Sequence, residues 1–131
     1  MPLHCAVYPE QALVLVAGEG RVTRCDIKGC LSLFKGQPFD RYGKLFNLLR
    51  AHLALGPDDV DTIGQNLRRY CSKPLPGPIA LAVKSSLNLD MAVLVKQRVP
   101  GGKFRVFSDQ GSAYRWLRQA TETGEWMRKA S

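Results

Sequence analysis

Hydrophobic positions along the chain fall into runs of strand length and stripes of helical spacing, and the clearest set spans residues 44–83. Lys44-Leu45-Phe46-Asn47-Leu48-Leu49-Arg50 and Ile79-Ala80-Leu81-Ala82-Val83 are apolar runs. Between them, from about Asp58 to Cys71, Val60, Ile63, Leu67 and Tyr70 or Cys71 form a stripe opposite Asp61, Thr62, Gln65, Arg68 and Arg69. Strand, amphipathic helix, strand is the pattern of a βαβ unit, whose parallel strands are covered on both faces. Pro57 suits the first helical turn, and Asp58 and Asp59 face the positive end of the helix dipole. Gly64 inside this helix costs about 1 kcal/mol relative to Ala, which suggests a close approach to another backbone.

Upstream, Cys5-Ala6-Val7-Tyr8 and Ala12-Leu13-Val14-Leu15-Val16-Ala17 are strands joined by Pro9-Glu10-Gln11, short enough only for a hairpin, with the second strand the more central. Gly18-Glu19-Gly20 then reads as a tight turn into a helix that Thr23 caps, with Asp26 completing an approximate capping box. Ile27, Cys30, Leu31 and Phe34 supply its buried stripe, and Gly36 ends it. Residues 37–43 form a loop whose Phe39 and Tyr42 fold over the edge of the core. Downstream, Ser85 or Ser86 caps a helix running towards Val99, although Val93, Val95 and Val99 make a strand the competing local choice. Lys103-Phe104-Arg105-Val106-Phe107 alternates as a half-buried edge strand. Ser108 or Asp109 caps a last helix that turns Ala113, Trp116 and Leu117 inward and Arg115 and Arg118 outward. The expectation is one α/β domain over residues 1–120 and a polar tail over 121–131.

Composition narrows the class. A chain of 131 residues that is 45% hydrophobic can build one packed core. No apolar run approaches the ~18 residues of a membrane span, and Met1-Pro2-Leu3-His4-Cys5 lacks the basic and apolar regions of a signal peptide, so a cytoplasmic protein is expected. Cys5, Cys25, Cys30 and Cys71 form no C-x-x-C pair and read as buried free thiols. With only His4 and His52 to add, no metal site is expected. The balance of 19 Lys and Arg against 11 Asp and Glu gives +8. That charge is spread, without runs longer than Arg68-Arg69 and Arg128-Lys129, which suits a solubilising surface better than a phosphate-tracking stripe. Weak nucleic-acid binding through Arg68, Arg69, Arg115 and Arg118 stays as a minor alternative.

Candidate chemistry is sparse. Gly18-x-Gly20 after a strand invites comparison with a dinucleotide loop, but Thr23 occupies the third glycine position and Asp40 precedes its strand instead of following one. No Ser-His-Asp set and no Cys beside a His is present at a telling spacing, so no enzyme and no cofactor are expected. Open α/β sheets bind ligands beyond the carboxyl ends of their strands. That rule places a partner- or ligand-binding edge at Asn47, Arg50, His52, Gly56, Asp58 and Asp59. The surplus apolar surface of residues 87–95 is assigned either to a partner or homodimer face on Met91, Leu94 and Val95, or to deeper burial within the monomer.

Four motifs in order, Gly20-Arg21-Val22-Thr23, Lys44-Leu45-Phe46-Asn47-Leu48, Gly77-Pro78-Ile79-Ala80-Leu81-Ala82-Val83 and Phe104-x-Val106-Phe107-Ser108-Asp109-x-x-x-Ala113-x-x-Trp116-Leu117, give the chain its resemblance to the SpoIIAA-like superfamily of small bacterial domains. STAS and SEC14-related domains belong to that superfamily. The resemblance implies a central mixed sheet of about five strands, an N-terminal hairpin plus parallel βαβ units, with about four helices. It also implies a regulatory, protein-interacting domain similar to anti-sigma-factor antagonists, in which a Ser at the start of the helix after the middle strand is phosphorylated. Here Leu55-Gly56-Pro57-Asp58-Asp59 offers no hydroxyl at that place, and Asn47 stands where many relatives carry Asp, so binding without a phosphoswitch is expected. SEC14-related members imply the alternative of a small apolar ligand or lipid.

Overall fold

The apolar runs pair into a single sheet in a computed structural model that describes residues 3–34, 37, 41–71, 77–99 and 104–123. The elements in chain order are β1 (Leu3–Tyr8), a 3-10 turn (Pro9–Gln11), β2 (Leu13–Val22), α1 (Arg24–Phe34), β3 (Gly43–Leu53), α2 (Pro57–Cys71), β4 (Ile79–Ala82), α3 (Ser86–Lys96), β5 (Phe104–Phe107) and α4 (Gln110–Thr123). The five strands lie in the order β1-β2-β3-β4-β5, with β1 antiparallel to β2 and every other neighbour parallel. The hairpin, the βαβ unit and the four helices are those the sequence implies. α4 continues to Thr123, three residues into the expected tail, and the rest of that tail lies outside the described residues, as do Gly36 and Phe39.

Two apolar layers cover the sheet. Val14, Val16, Val22, Phe46, Leu48 and Leu53 point towards α1, α2 and α3, whose Phe34, Ile63 and Val95 meet them in the larger cluster. Leu45 and Ala80 point the other way, onto Ala113 and Leu117 of α4. That α1, α2 and α3 share one face follows from the common handedness of parallel β-α-β connections, whereas α4 connects no two strands among the described residues and covers the apolar residues of the other face. The stripes of α1 and α2 are legible in the sequence because one buried face per helix is all that layer needs.

Helix starts are built as their sequences suggest. The Thr23 N–H donates to Asp26 Oδ2 at 2.8 Å, and the Asp26 N–H donates back to Thr23 Oγ1 at 3.4 Å. Ser85 is the cap of α3, its hydroxyl accepting the Asn88 N–H at 3.0 Å, so residues 86–96 are helix and the strand alternative fails. Asp109 accepts the Ser112 N–H at 2.7 Å at the start of α4.

Two expectations need correction, and one buried residue was not anticipated. The Gly18-Glu19-Gly20 segment is part of β2 and makes no turn. Gly20 takes φ +69°, and a Cβ on Gly18 would lie 2.6 Å from Leu48 Cδ2, so backbone conformation and packing account for both glycines and no phosphate loop forms. The cysteines are not uniformly buried: Cys30 is, whereas Cys5 on the outer strand and Cys25 in the first turn of α1 are exposed. Lys44, at the start of β3, is fully buried, donating from Nζ to the Tyr42 carbonyl at 3.0 Å and lying 5.2 Å from the centroid of the Phe34 ring.

Candidate functional site

β3 outruns its neighbour β4, which ends at Ala82 opposite Asn47. Beyond that point the strand changes phase. Ala17 pairs with Asn47 but Glu19 pairs with Arg50, so β3 carries one extra residue in a bulge. Asn47 closes the bulge, because its Oδ1 accepts the Leu49 N–H at 3.1 Å, and its amide nitrogen donates to Gln110 Oε1 at the start of α4. After the bulge, Ala51 and Leu53 face the three-helix layer and Arg50 and His52 face the α4 side.

The predicted binding edge is therefore divided by the sheet. Asn47, Arg50 and His52 lie on the α4 side with Glu19 and Arg21 of β2, where Arg50 and Glu19 form a well-exposed ion pair at 3.8 Å. Gly56, Asp58 and Asp59 lie at the start of α2, in the opposite layer. There Asp59 accepts the Gly56 N–H at 2.9 Å and faces Arg24 of α1 at 3.6 Å, so it locks two helix starts together. Asp58 is exposed and supplies its carbonyl to the Thr62 hydroxyl at 3.0 Å. The same division applies to the basic residues: Arg68 and Arg69 lie on α2 and Arg115 and Arg118 on α4, across the sheet. No single surface joins them.

α3 presents the apolar surface. Its inner face is Asn88, Ala92 and Val95, all buried, so Val95 belongs to the core and takes no part in any face the helix offers. Outward stand Leu87, 54% exposed, Leu94 and Val93, each 41%, and Leu89, 38%. Leu87 and Leu94 flank the half-buried Met91 at i−4 and i+3, which makes a continuous stripe.

Behind that stripe lies a cavity of about 50 Å³, between the sheet and α1, α2 and α3. Its wall includes Ile27, Phe46, Leu55, Ile63, Met91 and Phe104, and every lining residue is apolar. A space of this chemistry stays dry and can take a hydrocarbon group. Among the described residues no cluster of three or more His, Cys, Asp or Glu is arranged to hold a metal ion. None of their helices is long and apolar enough to cross a membrane.

The residue that sequence reasoning missed is Asn88, which joins α3 to the overhanging part of β3 through two hydrogen bonds. The available signal was a polar residue sharing the inner face with Ala92 and Val95.

No family model matches the chain, and no curated protein matches it. Among solved structures it is similar to the crystal structure of an uncharacterized protein from the DUF3478 family, with a SpoIIAA-like fold, from Shewanella loihica PV-4. The TM-score is 0.55 at 16% sequence identity, over 88% of this chain and 91% of that one. The five-stranded mixed sheet with four helices is accordingly a SpoIIAA-like fold.

Proposed function

We propose that this chain is a non-enzymatic regulatory domain of the cytoplasm that binds a protein partner through α3. The observation carrying the proposal is the exposed aliphatic surface of that helix, with Leu87 and Leu94 one turn to either side of Met91. Contiguous apolar surface of this kind on a chain of +8 net charge is costly to leave in water and is the usual mark of a contact site. Asp58, exposed at the start of α2, keeps a fixed negative charge where the anti-sigma-factor antagonists carry a phosphorylatable Ser, so binding needs no kinase. Affinity capture with the wild type, Leu94→Lys and Asp58→Lys tests this. A discrete partner held by the wild type and lost with Leu94→Lys, the circular dichroism being unchanged, is the expected result. Equal capture by all three removes α3 and α2 as the contact surface.

The cavity favours a second reading, a carrier of a small apolar ligand. Met91 belongs both to the surface stripe and to the cavity wall, so movement of α3 would connect the two. Native mass spectrometry of freshly purified protein separates the readings, because a co-purifying small mass supports the carrier.

A further inference from the structure

The two edges of the sheet are unequally protected. β5 is four residues long and carries Arg105, and a short charged edge resists pairing with another chain. β1 has six residues, Leu3-His4-Cys5-Ala6-Val7-Tyr8, with no Lys, Arg, Asp, Glu or Pro, and it follows β2 without a register shift. All of its residues after Leu3 are exposed. Such an edge offers a row of backbone donors and acceptors without the usual devices that discourage strand addition.

Charge permits a second copy of the chain as the occupant. No Lys or Arg occurs before Arg21, so all 19 basic residues lie outside β1 and the first half of β2. Two copies of a +8 chain repel each other least where that charge is thinnest. We propose that the outer edge of β1 pairs antiparallel with β1 of a second copy, joining the two five-stranded sheets into one across a twofold axis.

Symmetry restricts the register. Residues directly opposite in an antiparallel pair point to the same face, so a twofold axis normal to the sheet must pair one residue with itself. Centring on Ala6 uses all five exposed residues: Ala6 meets Ala6, Cys5 meets Val7, and His4 meets Tyr8. Val7 and Tyr8, two of the exposed large apolar residues, are thereby covered on opposite faces. This contact is independent of α3 and leaves its outward face free.

Sedimentation equilibrium over a dilution series tests the pairing on the full chain. The wild type is expected at twice the chain mass of 14.5 kDa. Val7→Lys, at an exposed position, is expected at the single mass with its circular dichroism retained, and Leu94→Lys at the double mass. Ala6→Cys, in a Cys5→Ala background, is expected to cross-link to itself under mild oxidation by glutathione disulfide, a readout that does not depend on Val7→Lys folding. A wild type that stays monomeric, a dimer that survives Val7→Lys, or a dimer that Leu94→Lys dissolves overturns the proposal.

Discussion

The side-chain oxygen of Asn88 accepts the Leu53 N–H at 3.1 Å, and its amide nitrogen donates to the Ala51 carbonyl at 2.8 Å. One residue that bonds both neighbours of the residue opposite is the pattern of a parallel strand partner. β4 has ended by then, so Asn88 supplies in one side chain what a longer β4 would supply in backbone. Asn88→Ala leaves a buried N–H and a carbonyl without that partner and removes two hydrogen bonds, a loss of about 2 to 4 kcal/mol. Urea denaturation is expected to show a lower midpoint at unchanged m-value.

Sequence reasoning reached the helices because their signals are local. Val60, Ile63 and Leu67 repeat within α2, and Thr23 and Asp26 are three residues apart, so neither needs knowledge of the rest of the chain. The division of the candidate edge was hidden by the bulge. Counting alternately from Leu45 puts Ala51 and Leu53 on the α4 side and Arg50 and His52 in the core, the reverse of what one extra residue produces. Asn47, which closes that bulge, reads in the sequence as a polar residue at a strand end. Lys44 gives no sign of its burial either, because the Phe34 ring it lies against comes from α1 and its hydrogen-bond acceptor, the Tyr42 carbonyl, is a backbone group that residue types do not reveal.

Cys30 has its thiol pushed up to about 12, chiefly by burial and secondarily by the nearby Cys5. A raised folded-state value means that the fold favours the neutral thiol. That contribution is complete below the ordinary value of 9.0 and is lost as pH rises towards about 12. Denaturation midpoints of the wild type are therefore expected to fall more steeply above pH 9.0 than those of Cys30→Ala. Alkylation at neutral pH, mapped by peptide mass, is expected to modify exposed Cys25 well before Cys30, which needs an opening of the fold.

Asp109 lies at the start of α4 with its carboxylate held below the ordinary value of 3.8 by the backbone N–H and then the hydroxyl of Ser112. A lowered folded-state value works in the opposite sense to that of Cys30. The cap contributes fully above pH 3.8 and loses its contribution as pH falls through the lower folded-state value. The stability difference between the wild type and Asp109→Ala is expected to be constant at neutral pH and to shrink in acid. Thermal unfolding of the pair from neutral to acid pH measures it.

Ala92 of α3 borders the apolar cavity with its short side chain, and the space in front of it distinguishes an empty packing defect from a binding site. Ala92→Val adds two methyl groups, which gain about 1.6 kcal/mol by burial and lose about 0.6 kcal/mol in helix propensity. For an empty cavity the balance is a protein about 1 kcal/mol more stable, read as a higher denaturation midpoint.

Gly64 sits where α2 passes the end of α3. A Cβ there would lie 2.8 Å from the Arg98 Cβ, an atom fixed to the backbone and unable to swing away. Arg98 is held further by Asp61, with Nε to Oδ1 at 2.6 Å, and by the Leu94 carbonyl at 2.7 Å from Nη1. Gly64→Ala gains about 1 kcal/mol of helix propensity, but the overpacking it causes costs about 1 to 3 kcal/mol and forces α2 from the turn that follows α3. The net expectation is a modest loss of stability, in contrast to the gain Ala gives at an open helical glycine. Gly29 of α1, where an added methyl group would meet nothing within 4 Å, provides that comparison within the same protein. Gly29→Ala is expected to raise the denaturation midpoint and Gly64→Ala to lower it, and equal gains would mean that Arg98 yields without cost.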